Sequence, residues 1–233
     1  MSLLTVIADS LLHFCYPHTC NGCGSDLLTK DSTLCLRCIN GLPETGYGFQ
    51  QDNPIEKKFW GRLPLRYGMA QYYFTPKSLL QQLMHQLKYK GQQQLGRQLG
   101  RLMGESLINA NWIFIDALIP LPLFPEKEKL RGYNQATVLC EGIAEKMNIP
   151  ILHNAIIRPA ATETQTRKNR VERWQNMEGR FRLDQPALVE HKHVLLIDDV
   201  ITTGATLEAC GIELLKADGV ELSVASLAYA DRN

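Results

Sequence analysis

The sequence predicts an α/β fold, a largely parallel sheet flanked by helices, preceded by a small cysteine-bounded domain. Three observations predict it. Five of the seven cysteines crowd between positions 15 and 38. Apolar residues recur at helical spacing over 79–108, 135–146 and 205–216. Between them stand short, almost continuous apolar runs at 113–119, 194–197 and 221–229. Runs without polar alternation belong to strands covered on both faces, the habit of parallel sheets.

Composition narrows the class. Apolar residues make up 45% and charged residues 21%, which excludes a disordered or fibrous chain. Lys plus Arg number 25 against 24 Asp plus Glu, so the chain does not grip nucleic acid by bulk charge, although a local basic patch stays open. No apolar run approaches the roughly 20 residues that span a bilayer. The first residues lack a basic stretch and meet Asp9 early, unlike a signal peptide. The expectation is a soluble, cytoplasmic protein without membrane insertion.

The first element is set by the cysteines. Cys20 and Cys23 form one CxxC knuckle, Cys35 and Cys38 a second. Each knuckle aims two thiolates at one ion from a tight turn, and the two together complete a tetrahedron of sulfur, the donor set of zinc. Gly22 and Gly24 supply the freedom such a turn wants. A site closed by four thiolates leaves no position for substrate, so the zinc is expected to be structural. An odd cysteine count argues against a disulfide framework. Cys15 and His18 stand near enough to substitute as ligands, whereas Cys140 and Cys210 fall in apolar helical patterns and are expected in the core. Residues 1–42 are assigned to this zinc-ribbon-like mini-domain. Residues 43–66, dense in Gly and Pro without periodicity, are expected to be a linker, and 67–233 form the main domain.

In the main domain the apolar period of 79–108 is broken near Lys90 and Gly91, which predicts two helices. The run 113–119 predicts a buried strand closed by Pro120, Leu121 and Pro122, and 135–146 returns to helical period. The run 194–197 ends in Asp198 and Asp199. A turn of Thr202, Thr203, Gly204, Ala205 and Thr206 then opens a helix over 205–216, and a last strand covers 221–229. Ligands of such sheets bind beyond the carboxyl ends of the strands, where this acid pair stands.

The stretch 194–206 carries the chemistry. Backbone N–H groups of a Gly/Thr loop at a helix start cradle an anion, and threonine hydroxyls add donors. Two adjacent carboxylates repel phosphate, but they accept hydrogen bonds from vicinal sugar hydroxyls or hold Mg²⁺ through water. A sugar 5-phosphate satisfies both halves. The plainer alternative is an Asp-Asp strand end followed by a threonine-capped helix. Position by position, the stretch resembles the phosphoribosyl pyrophosphate (PRPP) motif of type I phosphoribosyltransferases: four apolar residues, two acids, two apolar residues and Thr-Thr-Gly-Ala-Thr. The resemblance implies a type I phosphoribosyltransferase-like fold. It places Asp198 and Asp199 on the ribose 3′- and 2′-hydroxyls, and Thr202, Thr203, Gly204, Ala205 and Thr206 on the 5′-phosphate. It further implies Mg²⁺-assisted displacement of pyrophosphate from C1 through an oxocarbenium-like transition state. Enzymes that salvage 6-oxopurines carry Asp where this chain has Thr202, which cannot act as a base near neutral pH, so hypoxanthine or guanine salvage is disfavoured.

Further stretches extend the likeness. They are Lys88-Tyr89-Lys90-Gly91, Pro120-Leu121-Pro122, the run from Arg131 through Gly132, Tyr133 and Asn134 to Ala136, and Arg158-Pro159 ahead of Thr164-Gln165-Thr166, Arg170, Arg173, Asn176 and Phe181. With the four-cysteine finger, this pattern resembles the ComF family, amidophosphoribosyltransferase-like proteins linked to DNA uptake in competent bacteria and to DNA as a nutrient. Physically, a loop over 120–131 could wrap pyrophosphate, with Lys88 and Arg131 as cationic partners. The alternative for Arg131 is a helix start capped by Asn134, at which an arginine would oppose the dipole. The stretch 158–182 has 7 Arg or Lys against 3 acids, which suggests a lid bearing Arg167 and Arg170 as further pyrophosphate candidates, or a solvated face.

Two functions fit. One is phosphoribosyl transfer from PRPP to an unidentified acceptor. The other is a non-catalytic protein that senses PRPP or a nucleotide and binds single-stranded DNA or a DNA-handling partner, for which an arginine-rich arm with Trp174 has suitable chemistry.

Overall fold

A computed structural model describes residues 19–26, 28–29, 32–159 and 181–231. The second cysteine knuckle runs into a short helix α1 (Leu36–Asn40). Helix α2 (Pro54–Phe59) and strand β1 (Gly68–Tyr73) follow, then helices α3 (Leu79–Tyr89) and α4 (Gln93–Asn109). Strand β2 (Ala117–Pro120) leads to α5 (Pro125–Arg131) and α6 (Gln135–Met147). A small antiparallel pair, β3 (Ile156–Ile157) and β4 (Arg182–Leu183), precedes β5 (His193–Ile201), α7 (Ala205–Leu214) and β6 (Glu221–Tyr229). Among the described residues no helix is long and apolar enough to cross a membrane.

The main sheet has the order β1-β6-β5-β2, and every neighbouring pair is parallel. The two central strands explain the near-continuous apolar runs: the first five residues of β5 and all of β6 after Glu221 are buried. Helices cover both faces of such a sheet, so no strand face is left to alternate with water. One layer is the α4–α6 pair, whose backbones meet at glycine. A Cβ on Gly100 would stand 2.2 Å from the Leu139 carbonyl oxygen, and one on Gly142 would stand 2.1 Å from that of Arg97. Ion pairs Arg97–Glu141 (2.7 Å) and Arg101–Glu145 (2.5 Å) border this crossing.

The break between α3 and α4 falls where the sequence places it. Ser78 caps α3 by accepting from the Gln81 N–H at 3.2 Å, and Gly91 turns the chain with φ 65°. Elsewhere the structure departs from expectation. Strand β2 begins only at Ala117, because Trp112 and Ile115 are buried as loop residues below the strand while Ile113 faces solvent. Strand β1 has no strong sequence signature. The expected linker 43–66 is no bare connector. It bridges β1 through Glu44 and Tyr72 and carries a 3-10 turn at Tyr47–Phe49 before α2. Asn53 organises it, accepting from the Ile55 and Glu56 N–H groups and donating to the Tyr47, Gln50 and Gly68 carbonyls. Ile55, Phe59 and Leu63, spaced four apart, are buried, a helical period hidden among glycines and prolines.

Cys20, Leu34 and Cys38 belong to the same continuous buried cluster as the sheet. The finger is also pinned by glutamines: Gln98 of α4 accepts from the Thr33 N–H (2.6 Å), the Thr33 hydroxyl (2.7 Å) and the Leu34 N–H (3.1 Å).

Candidate functional site

Strand β5 outruns its neighbour β2. Their pairing ends at Pro120 opposite Ile197, where the Leu121 N–H donates to the Ile197 carbonyl at 2.9 Å. The strand itself runs on to Ile201, paired only with β6 through Asp198↔Ser226 and Val200↔Ala228. Asp198 and Asp199 therefore lie inside the strand, beside a notch left by the shorter β2, not just past a strand end. The crevice beyond the carboxyl ends of a parallel sheet is where ligands of open α/β folds bind.

Asp198 is strongly biased toward its protonated form. Asp198 Oδ1 accepts from the Asp199 N–H at 2.7 Å. Burial, and then the neighbouring Asp199 carboxylate, push the Asp198 carboxyl up to about 8, against the opposing pull of that N–H, Lys88 and Arg158. Lys88, from α3, places Nζ 2.8 Å from Asp199 Oδ2. Arg158 is held between two rings, its guanidinium carbon 3.5 Å from the Phe124 centroid and 4.9 Å from that of Phe181. Sequence reasoning noted Arg158 as part of a pattern but did not place it at the acids. Its lone Arg-Pro signal says nothing of the aromatic slot that fixes it.

The loop after β5 is built for close approach. Gly204 takes the N-cap position of α7 with φ 78° and offers no side-chain cap. Thr203 Oγ1 accepts weakly from the Ala205 N–H at 3.4 Å. A glycine cap leaves first-turn N–H groups of α7 available to an anion. The ring of Phe59 closes the other side: a Cβ at position 204 would stand 2.9 Å from Phe59 Cζ. Arg62 pairs with Glu208 and reaches the Thr203 carbonyl at 3.5 Å. Phe59 and Arg62, both from the expected linker, are neighbours of the loop that the sequence analysis missed. Only the four-residue spacing of Ile55, Phe59 and Leu63 hints at them. Beside Lys88 and Thr202 opens a cavity of about 430 Å³, walled by Phe74, Met84, Tyr89 and Val200.

Arg131 is not at a helix start. It ends α5, followed by Gly132 at φ 80°, and donates to Gln135 Oε1 at 2.5 Å, with its guanidinium carbon 5.7 Å from the Tyr89 ring. An arginine in a last turn agrees with the helix dipole, so the expected conflict does not arise. Asn134 is indeed a cap: it accepts from the Ala136 N–H at 3.0 Å and ties α6 to the loop after β2 through the Leu121 carbonyl. Arg167, Arg170, Trp174, Cys15 and His18 lie outside the described residues.

The four cysteines converge. The sulfurs of Cys20, Cys23, Cys35 and Cys38 all lie within 4.8 Å of one another, and Cys23 and Cys35 are 3.7 Å apart. A zinc tetrahedron with bonds of about 2.3 Å has sulfur–sulfur edges of about 3.8 Å, so the donor set fits zinc. Burial raises the Cys20 thiol, but the N–H groups of Cys23, Cys35 and Gly22 outweigh it and bring the thiol down to about 6. Cys38 is pushed up to about 12 by burial and the other three sulfurs. Gly22 is required for the turn, since a Cβ there would stand 2.7 Å from Cys38 Sγ. Cys140 and Cys210 are fully buried core residues.

Residues 135–233 match the phosphoribosyl transferase domain family. The chain is 31% identical to the DNA utilization protein YhgH of Escherichia coli O157:H7, over 88% of this chain and 87% of that protein. This chain belongs to the ComF family. Competence protein F of Haemophilus influenzae is another ComF relative, 30% identical over 94% of this chain and 93% of that one. Among solved structures, a glutamine PRPP amidotransferase from B. subtilis overlays 55% of this chain and 25% of its own, with 20% identity and a TM-score of 0.39.

Proposed function

We propose that this ComF-family protein binds PRPP at the end of β5 and transfers its phosphoribosyl group to an acceptor. The observation that carries the reading is one strand end that offers both halves of a sugar phosphate site, an acid pair and a glycine-capped helix start. Asp198 and Asp199 would accept from the ribose hydroxyls, while Thr202, Thr203, Gly204, Ala205 and Thr206 would hold the 5′-phosphate. Lys88 and Arg158 bring positive charge to the acids, where it can meet pyrophosphate as the C1–oxygen bond breaks and the electron pair leaves with it. Arg131, Arg167 and Arg170 stay candidates for the same anion. Mg²⁺, when bound with PRPP, would neutralise the leaving group. The cavity beside Lys88 and Thr202 has room for an acceptor next to C1. Zinc in the four-cysteine centre would be structural, because a set of four thiolates closes its coordination. Calorimetric titration with PRPP, with and without Mg²⁺, tests the site. Saturable one-to-one binding is expected, and none in either condition rejects it. Pyrophosphate release that depends on an added acceptor then tests catalysis.

One observation favours a second reading, a non-catalytic protein that senses PRPP or a nucleotide and binds single-stranded DNA. Trp60 is 60% exposed, with Lys57 Nζ 5.8 Å from its ring, and it directly follows Phe59, whose ring lies against Gly204. Cations beside an exposed ring suit a stacked strand. Salt-sensitive binding of a single-stranded oligonucleotide, lost in Trp60→Ala, would support it.

A further inference from the structure

We infer that the four-cysteine centre is coupled to the acid pair through α3, with Gln82 and Gln86 as positioning residues, so that metal occupancy sets the affinity of the site for its phosphorylated ligand. The inference rests on the reading that Asp198 and Asp199 bind PRPP.

Helix α3 touches both centres, on different faces. Gln86 Nε2 donates to the Asn21 carbonyl at 2.8 Å, and Gln82 Nε2 donates to the Asn21 and Gly22 carbonyls at 3.3 and 3.4 Å. Asn21 and Gly22 are the two residues between Cys20 and Cys23, so these bonds hold the turn of the first knuckle. That turn also reaches Cys20 Sγ through the Gly22 N–H at 3.4 Å. Gln82 and Gln86 are four apart and share a face, whereas Lys88, two residues on, points about 200° away from Gln86. There its ammonium meets Asp199 at 2.8 Å. The buried stripe of Leu80, Leu83, Met84 and Leu87 keeps α3 against the core, and the Tyr133 hydroxyl donates to the Leu87 carbonyl beside Lys88. A helix capped at Ser78 and packed along its length moves as a body. About 9 Å separates positions 82 and 88 along its axis, at 1.5 Å per residue.

A knuckle drawn round a metal fixes the Asn21 and Gly22 carbonyls, and through them the rotation of α3 and the place of Lys88. Without the metal nothing ties the first knuckle to the second, the turn is free to open, and the two glutamines lose their fixed acceptors. Coupling between two binding equilibria is reciprocal, so PRPP must in turn raise the affinity for zinc.

The test uses full-length zinc-loaded protein, with PRPP titrated by calorimetry and zinc affinity read from equilibrium competition with a chromogenic chelator. In the wild type, PRPP should tighten zinc binding. The Gln82→Ala/Gln86→Ala variant should keep one zinc and bind PRPP about tenfold more weakly, within the usual range of site–site coupling, and its zinc affinity should no longer respond to PRPP. In a Lys88→Met background the same two substitutions should change PRPP affinity no further, a result that a merely structural role would not produce. An equal loss in that background, or a zinc affinity indifferent to PRPP in a wild type that binds it, overturns the coupling. A wild type that binds no PRPP overturns the functional reading instead. Hydrogen exchange over residues 83–89 then decides the coupling alone: faster exchange in the glutamine variant and in zinc-stripped protein upholds it, and unchanged exchange overturns it.

Discussion

The ring of Phe59 lies against Gly204, so closely that a Cβ on the glycine would stand 2.9 Å from Phe59 Cζ. A residue between the finger and the sheet thus forms one wall of the loop after β5, and two independent conditions, the contact and φ 78°, demand glycine at 204.

Gly204→Ala should therefore destabilise the protein by about 1–3 kcal/mol, the usual cost of a strained backbone position, and weaken PRPP binding by more than tenfold. Trimming the wall with Phe59→Ala costs about 3–5 kcal/mol by itself as a cavity. The double variant should be less destabilised than the sum, because trimming the ring relieves the clash that the new methyl makes. Chemical denaturation of the four proteins reads this, and strict additivity would show that the ring does not press on the loop.

The Asp198 carboxyl, pushed up to about 8, should leave its mark on binding. Sugar hydroxyls need an acceptor, so the ligand prefers the ionised form. PRPP affinity should rise between pH 6 and about 8 and level off above, with protons released on binding below pH 8. Affinity that stays flat from pH 6 to 9 would count against a role for Asp198 in the site.

Folding stability should run the opposite way. The native state keeps a proton on Asp198 up to about 8, whereas the unfolded chain gives it up near its ordinary value of 3.8. More protons are bound in the native state across that window, so stability falls as pH rises through it. Asp198→Asn removes this slope. It should melt at a higher temperature than the wild type at pH 9 while losing PRPP affinity, as measured by calorimetry and thermal unfolding. A variant no more stable at pH 9 would argue that Asp198 carries no burial penalty.

Arg158 draws the Asp198 carboxyl downward from its slot between Phe124 and Phe181. Arg158→Met keeps an apolar occupant between the rings and removes the charge. The pH at which PRPP affinity levels off should move upward, with little change in melting temperature at pH 6. An unmoved profile would place the cation outside the electrostatics of the site.

Replacing Cys35 with Ser should release about one zinc per chain, read by metal analysis. The effect should not stop at the finger, because Gln98 and the buried contacts of Cys20, Leu34 and Cys38 join it to the helical layer. One cooperative thermal transition at lower temperature is expected. Two separate transitions would mean that finger and sheet fold apart.

Local signals were enough where a residue's role depends on its chain neighbours. The CxxC knuckles, the break at Gly91, the Asn134 cap and the buried runs of β5 and β6 are legible because spacing along the chain sets the geometry. The expected linker was misleading for the converse reason. Its glycines and prolines mark turns correctly, but Ile55 and Phe59 share a buried face only when the six-residue helix α2 packs on the sheet, with Leu63 buried just beyond its end. For Arg131 only the helix-start alternative fails, because the helix ends there: the residue that would oppose the dipole at a start favours it at an end.

A parallel α/β architecture, the four-sulfur set, the acid pair and the glycine loop all follow from the chain read alone, since each element or motif rests on residues within about twenty positions of one another. Contacts between distant segments had to wait for the folded molecule. Lys88 reaches Asp199 across 111 positions, Phe59 reaches Gly204 across 145, and the glutamines of α3 and α4 meet the finger over more than 60. No periodicity encodes such pairs. They form because burying the apolar faces of α2, α3 and α4 against one sheet leaves their polar residues at the strand ends, and that packing carries charge to the acids.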